Sequence, residues 1–188
     1  MAQSLSGQFL ISVRQLRDPN FFRSVVLMVE HGESGAMGLV VNRPSSITVA
    51  AALEAHFELP ETGEKVYIGG PVERESLFIL HNVSTLGSAE SPVVSGLFVG
   101  TNAEVFEQVV NSASAGEEGV KYRIFAGCSG WGPMQLEGEL SRGDWLTAPA
   151  SADFIFHDDP YNIWDMLLKG VSLPPHIAPG LRGNPELN

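Results

Sequence analysis

The residues best suited to chemistry lie in three glycine-containing segments. The first runs from Glu30 to Pro44 and holds a carboxylate, an imidazole, an amide and a guanidinium at Glu30, His31, Asn42 and Arg43. Arginine binds anions through a planar fork of donors, and histidine titrates near neutral pH. If a hairpin brings these side chains to one end, they form a site for a small anionic ligand. The structural alternative is that Glu30 and Arg43 only pair across the strands while the glycines turn the chain.

The second segment, from Tyr67 to Val72, contains the pair Gly69 and Gly70, and His81 ends the strand that follows it. Glycine lacks a Cβ, so another strand or a ligand can approach its backbone closely. Free N–H groups in such a turn form an anion-binding nest. The alternative is a plain turn at the end of a strand.

The third segment runs from Gly127 to Glu137 and places Trp131 near Gln135 in a loop rich in glycine and proline. This pair predicts an aromatic platform with a hydrogen-bonding arm, or else a tryptophan that anchors its loop in the core. Cys128 and Ser129 have the side chains of nucleophiles, but no base stands beside them in the sequence. We therefore assign no catalytic residue.

Signatures of metal and cofactor sites are absent from the sequence. It contains no phosphate-binding P-loop, no GxGxxG at a helix start, no HExxH and no GxSxG. The five histidines are scattered, and one cysteine cannot build a zinc ribbon. We predict neither a metal nor a cofactor.

Composition indicates a folded, acidic, cytoplasmic domain. The 188 residues include 11 Lys and Arg against 22 Asp and Glu, a net charge of −11, and 44% are hydrophobic. A single cysteine excludes an intrachain disulfide and favours a reducing compartment. The apolar runs are too short to span a membrane, and no secretory signal is visible. The first 45 residues carry a net charge of +1 through four arginines, whereas the remainder carries −12. Direct binding to DNA is disfavoured because this charge repels a polyanion.

Two apolar runs joined by a glycine-containing loop predict a β-hairpin. They are 24–31 and 37–43, and Pro44 is expected to end the second strand. Neither run alternates with polar residues, so the hairpin should lie deep in the sheet with both faces covered.

Three helices are predicted from capping residues and apolar spacing. Thr48 should cap a helix from Val49 to about His56, and Thr101 with Glu104 should form a capping box for a helix running to about Ala115. The third should start at Asp159 and Pro160, bury a stripe and end at Gly170; the stripe is Ile163, Trp164, Leu167 and Leu168.

The remaining pattern adds strands, including 120–126, an alternating run at 134–140 and 152–157. About nine strands and three helices in mixed order predict an α+β fold in a single domain spanning residues 1–172. The tail at 173–188 is rich in proline and is expected to be loosely ordered.

Motifs spread along the chain resemble the YqgE/AlgH family of bacterial cytosolic proteins. They are Phe9-Leu-Ile11, Asp18-Pro19, Phe22-Arg-Ser-Val25, Glu30-His31, Gly35-Ala-Met-Gly38, Val41-Asn-Arg-Pro44, Gly69-Gly-Pro-Val72, Phe78-Ile-Leu-His81, Gly127, Trp131, Gln135-Leu-Glu137 and Trp145-Leu-Thr-Ala-Pro149. The chain departs from the family pattern at Met134, where a glycine usually stands, and at Cys128, where an aromatic residue is usual.

The resemblance implies a compact α+β domain with a bent, partly barrel-like mixed sheet flanked by helices. It implies no established activity, although one branch of the family is labelled a transcriptional regulator. We expect a domain that binds a small ligand or a protein partner and regulates indirectly. The alternatives are an enzyme of hydrolase or transferase type with His31 or His81 as base, and a regulator that contacts DNA.

Overall fold

The computed structural model describes residues 4–55, 59, 63–86 and 92–171, which contain nine strands and five helices. The strands are β1 (Gln8–Ser12), β2 (Val25–Gly32), β3 (Gly35–Val40), β4 (Pro44–Thr48), β5 (Lys65–Ile68), β6 (Val72–His81), β7 (Phe98–Gly100), β8 (Tyr122–Trp131) and β9 (Trp145–Pro149). The helices are α1 (Val49–Leu53), α2 (Ala103–Ser114), α3 (Gln135–Arg142), α4 (Ala152–Ile155) and α5 (Ile163–Gly170). The predicted tail at 173–188 and His56 lie outside the described residues; the first helix, predicted to run to about His56, ends at Leu53, and residues 54 and 55 form a turn.

Strand β8 joins the two halves of a single mixed sheet. The main order is β4-β5-β8-β3-β2-β1-β9, with β6 paired to β8 and β7 paired to β6. The part of β8 up to Cys128 pairs with β5 in parallel and with β6 antiparallel, and its last three residues pair with β3. The predicted α+β class is confirmed, as an open sheet with five helices in the described residues where about three were expected.

The predicted hairpin is confirmed as β2 and β3 at the centre of the sheet. The strands pair antiparallel in a register that sets Val26 opposite Val40 and Leu27 opposite Leu39. Alternate residues face opposite sides of a strand, and all four of these side chains are fully buried. Both faces are therefore covered over the inner part of the hairpin, as the apolar runs predicted, whereas its tip at residues 29–37 is exposed or partly buried.

Helices cover the sheet from both sides. On one face, residues of β1, β2 and β3 form a core with Trp164 and Leu167 of α5. On the opposite face, α1 and α2 pack over β5, β6 and β8, and Leu136 of α3 packs over β1, β2 and β3. All three cores pack against the same sheet, and the sheet therefore fixes the positions of the helices relative to one another.

The predicted helix starts are correct at one helix and shifted at two. Thr48 caps α1 by accepting from the N–H of Ala51 at 3.2 Å. At α2 the cap is Asn102, not Thr101, because its carboxamide oxygen accepts from the N–H groups of residues 104 and 105. At α5 the residues from Asp159 form a turn first, and the helix begins at Ile163.

Two predicted strands are helices in the structure. The run at 134–140 forms α3, because its apolar positions Leu136 and Leu140 are four residues apart and share a helix face as well as a strand face. The run at 152–157 begins as the short helix α4. The strand predicted at 134–140 is therefore wrong, because its apolar spacing fits both periods.

Strands β4 and β9 were not predicted. β9 lies at an edge of the sheet, pairs antiparallel with β1 and ends in Pro149. β4 begins at Pro44, which was expected to end the strand before it; proline is tolerated at the first position of a strand. Proline therefore occurs in these two strands only at a terminal position, where its missing N–H is tolerated.

Met134 holds a left-handed backbone at the start of α3, with φ +61° and ψ 1°. A side chain in this region costs about 1 kcal/mol relative to glycine. A glycine here would carry no such cost, so Met134 leaves strain at the start of α3.

Replacing Met134 by glycine should stabilise the protein by about 1 kcal/mol and raise its melting temperature by about 2–4 °C. The matched control is Met134→Ala, which removes the exposed side chain but keeps the Cβ and hence the strain. Thermal melts of the three proteins check this. An equal gain from alanine would show that the exposed thioether, and not the backbone, is the source of instability.

Candidate functional site

The expected convergence of Glu30 and His31 with Asn42 and Arg43 is wrong. His31 pairs with Ala36 near the turn of the hairpin, whereas the Asn42 carboxamide oxygen accepts from the N–H of Val25 at its open end. Six residues of strand separate these positions, roughly 20 Å. The loop after His31 is tight enough to pair Gly32 with Gly35, so residues 42 and 43 extend away from it.

Asn42 and Arg43 instead hold the loop between β1 and β2. The Arg43 guanidinium donates to the carbonyl oxygens of Asn20 and Phe22, and Asn42 donates to the carbonyl of Arg23. Burial lowers the pKa of Arg43, and nearby Asp18 opposes that shift. These contacts give both residues a structural role.

Three predicted site residues, His31, Trp131 and Gln135, lie around the junction of the hairpin tip with α3. The buried His31 ring accepts from the N–H of Leu5 at Nδ1, and its Nε2 lies 3.1 Å from Glu137 Oε1. Because Nδ1 is an acceptor, the neutral ring carries its proton on Nε2 and donates to Glu137. Trp131 ends β8 four residues earlier, and Gln135 is the first residue of this helix.

Glu139 is the centre of this junction and was not among the site residues predicted from the sequence. Its Oε2 accepts from the indole N–H groups of Trp131 and Trp145 at 2.9 and 2.8 Å, and its Oε1 accepts from Gln135 at 3.0 Å. Phe21 stacks on Trp131 with ring centroids 5.8 Å apart. Trp131 is only 5% exposed, so it anchors its loop and offers no open platform.

The backbone of β8 lies directly against the glycine pair Gly69 and Gly70. A Cβ on Gly69 would lie 2.2 Å from the Gly127 carbonyl oxygen, and one on Gly70 would lie 2.2 Å from that of Cys128. The Ser129 hydroxyl donates to the Gly69 carbonyl at 3.1 Å. Burial, with Glu73, raises the pKa of the Cys128 thiol, which disfavours the nucleophilic thiolate.

His81 is fully buried at the end of β6. Its Nδ1 accepts from the N–H of Val83, its ring stacks on Phe98, and its Nε2 has no hydrogen-bond partner among the described residues. Burial lowers the pKa of His81, which keeps the ring neutral.

The two histidines proposed as bases lie at opposite ends of β8. His81 pairs with Tyr122, whereas His31 pairs with Ala36, which in turn pairs with Trp131. These ends of the strand are nine residues or about 30 Å apart. No mechanism can use both imidazoles on one small substrate.

An open cavity of about 470 Å³ lies elsewhere, around the start of β8. It is large enough for a small molecule. Its lining consists of Glu64, Tyr67, Ala113, Val120, Lys121, Tyr122, Arg123, Phe156, His157 and Asp158. None of the nine residues proposed from the sequence is among them.

Arg123 is the buried charge of this cavity, with 9% of its surface exposed. Its guanidinium donates to the carbonyl oxygens of Val41 at 3.0 Å and His157 at 2.9 Å, and it lies 4.3 Å from the ring centre of Tyr67. Burial lowers the pKa of Arg123, although an arginine remains charged. Burial also raises the pKa of Tyr67, whose phenol therefore stays protonated and can donate a hydrogen bond.

The rim of the cavity adds charges of both signs. Lys121 is exposed, and its ammonium lies 5.9 Å from the ring centre of Phe156. Glu64 and Asp158 contribute carboxylates, and both oppose the lowering of the pKa of Arg123. This arrangement can hold an anionic group on Arg123 and Lys121 while the carboxylates accept from ligand hydroxyl or amino groups.

One feature of the sequence indicates this cavity, although it was not among the predicted site residues. Arg123 stands inside the apolar run predicted as the strand at 120–126, and a charge at an inward position of a buried strand is unusual. The other lining residues come from separate elements, so their spacing in the sequence carries no trace of the cavity. Among the described residues, no group of three or more His, Cys, Asp or Glu side chains is placed to hold a metal ion.

Comparison with known proteins assigns the chain to a family. The AlgH-like family model matches residues 9–176, nearly the whole chain. The chain belongs to the AlgH-like family. A UPF0301 protein of Myxococcus xanthus is 36% identical over 96% of this chain and 98% of its own length, and one of Cupriavidus pinatubonensis is 40% identical over 96% and 95%.

Solved structures agree with membership of the AlgH-like family. The solution structure of the AlgH protein from Pseudomonas aeruginosa matches with a TM-score of 0.69 and 34% identity, over 90% of this chain and 92% of that one. The crystal structure of protein DIP2367 from Corynebacterium diphtheriae matches with a TM-score of 0.74 and 22% identity, over 93% and 90%, and supports the fold alone. None of the helices described in this AlgH-like chain has the length and hydropathy needed to cross a bilayer.

Proposed function

We propose that this chain is a small-molecule-binding domain whose site is the Arg123 cavity and whose ligand carries a carboxylate or phosphate group. The observation that supports the proposal is a nearly buried guanidinium at a cavity of about 470 Å³. Burying a charge costs several kcal/mol unless strong partners compensate, so such groups are commonly found where they are used. The hydrogen bonds of Arg123 to Val41 and His157 go to neutral carbonyl oxygens, which compensate less than an anion does.

The held geometry of Arg123 favours recognition. Two hydrogen bonds and the Tyr67 ring fix the plane of the guanidinium before any ligand arrives. A ligand that meets a fixed donor loses less conformational entropy on binding. Glu64 and Asp158 would disfavour ligands that carry only negative groups, so a ligand with hydroxyl or amino groups beside its anion fits best.

The proposal also includes the cellular location of the protein and the absence of direct contact with DNA. We place the protein in the cytoplasm because its single cysteine suits a reducing compartment. Any regulatory role is proposed to be indirect, since a net charge of −11 opposes contact with a polyanion.

Thermal melts with inorganic phosphate, succinate, glutamate and glycerol phosphate, each at an ionic strength matched with NaCl, test the binding site. A compound present at about 100 times its dissociation constant should stabilise the wild type by about 2.7 kcal/mol. Lys121→Gln removes a rim cation that is exposed and should raise the dissociation constant at least about tenfold, since a charge-assisted hydrogen bond contributes about 1.5–3 kcal/mol.

The matched control is Lys65→Gln, which makes the same charge change at an exposed position of β5 outside the cavity lining. Backbone amide spectra should show shifts at Tyr67 and Arg123 on titration. Equal loss of affinity in the two lysine variants, or no compound that shifts either the melt or these amides, would overturn the proposal.

A further inference from the structure

The loop between β1 and β2, residues 13–24, is positively charged on an acidic protein. It holds Arg14, Arg17 and Arg23 against the single acid Asp18, a net charge of +2 in a chain whose total is −11. Arg14, Arg17, Phe22 and Arg23 are all exposed, and we call these four residues the arginine patch. None of them lines the Arg123 cavity.

The arginine patch is held in place from beneath. Arg43 donates to the carbonyl oxygens of Asn20 and Phe22, and Asn42 donates to that of Arg23. The Asn20 N–H donates in turn to the Asp18 carboxylate at 2.8 Å. A loop tied by this many backbone contacts presents its side chains with little entropy left to lose on binding.

Arg23 has a strained backbone, with φ +51°. That conformation places its guanidinium 4.6 Å from the ring centre of Trp164, where Arg14 also lies at 5.3 Å. Both guanidiniums share the one carboxylate of Asp165, so the pair keeps a net positive charge. Strain that persists in a folded protein is concentrated where side-chain placement is functional.

Phe22 supplies an apolar anchor in the same loop. It is 57% exposed although it lies beside the strained Arg23, and Met166 of α5, 38% exposed, follows the Asp165 that Arg23 contacts. Arginine and aromatic side chains are the types that carry most of the binding energy in protein interfaces. The arginine patch combines both types on a preorganised support.

We propose that the arginine patch is a docking surface for an acidic segment of another protein, with an apolar side chain of that segment packed on Phe22 and its carboxylates on the arginines. Charge complementarity supports this occupant. A nucleic acid fits less well, because its charge continues every few ångströms beyond the patch and would face the remaining surface, which carries −13. A short acidic peptide segment, in contrast, carries its negative charges only along the arginine patch and does not reach the negative remainder of the surface.

Fluorescence anisotropy with a labelled peptide of alternating glutamate and leucine, and with its glutamine counterpart, tests this surface. The acidic peptide should bind and the glutamine peptide should not, and added salt should weaken the binding. Arg17→Gln should raise the dissociation constant about fivefold and Phe22→Ser at least about tenfold. Arg74→Gln, an equal charge change at an exposed position of β6, is the matched control and should leave it unchanged.

Three results would overturn the docking surface. One is equal binding of the two peptides, or none at all. Another is an equal loss in Arg17→Gln and Arg74→Gln. The third is a different occupant: a DNA duplex that binds more tightly than the peptide, or a dimer in sedimentation that Phe22→Ser abolishes. Melting curves of all variants should coincide with the wild type, since these side chains are exposed.

Discussion

Gly69→Ala should destabilise the protein by at least about 3 kcal/mol, the upper end of the usual cost of overpacking a core. The new Cβ would lie 2.2 Å from the carbonyl oxygen of Gly127 and 3.2 Å from Leu39 Cδ2. Gly69 cannot move away, because its N–H donates to Ala126 and its carbonyl accepts from Val40, both at 2.9 Å. The clash is therefore between two backbones that the sheet holds in place. Urea unfolding measures the loss.

Gly32→Ala is the matched control for this substitution. Gly32 lies in β2 of the same sheet, and a Cβ added there meets no atom within 4 Å. Its free energy of unfolding should stay within about 0.5 kcal/mol of the wild type, as for most surface changes. If Gly69→Ala were equally harmless, the close approach of β8 to the glycine pair would be wrong, and the space could belong to a ligand.

Glu139→Ala should lower the free energy of unfolding by about 3 kcal/mol. The carboxylate accepts from two indole N–H groups, those of Trp131 and Trp145, whose residues are 5% and 4% exposed. A buried donor left without its acceptor costs about 1–3 kcal/mol. Alanine leaves two such donors at once and also releases Gln135.

Tryptophan fluorescence reports on this junction directly, because two of the three tryptophans donate to Glu139. Emission should shift to longer wavelength as water reaches the freed indoles, while the contribution of the distant Trp164 stays. Glu107→Ala, on an exposed turn of α2, is the control and should change neither emission nor stability. Unchanged stability in Glu139→Ala would mean that water replaces the carboxylate at no cost.

The predictions from the sequence succeeded where a pattern has one physical solution. The hairpin of β2 and β3 follows from two mostly apolar runs around a glycine loop, and runs that do not alternate with polar residues are typical of strands covered on both faces. The run at 134–140 failed because residues 136 and 140 satisfy the helix and strand periods equally. Only the packing of Leu136 against β1 and β2 favours the helix.

The candidate site was only partly predictable for a related reason. His31, Trp131 and Gln135 lie in one region, because the hairpin tip pairs with the end of β8 and α3 follows β8 directly. Arg43 does not join them, since the direction of a strand separates its ends whatever the chemistry of the residues there. The Arg123 cavity is lined by residues of β5, α2, β8 and the turn after α4. No spacing pattern in the sequence indicates that these residues lie together.

The sequence by itself determined that this chain is an acidic α+β domain with a buried central hairpin, and its motifs identified the family. Those properties depend on composition and on local periodicity, which are known from the sequence without the fold. Tertiary structure alone decided which side chains share a cavity, that the glycine pair contacts a strand, and that the arginines of one loop stand together with Phe22. Such meetings depend on strand order and register, which are set by the packing of the whole sheet.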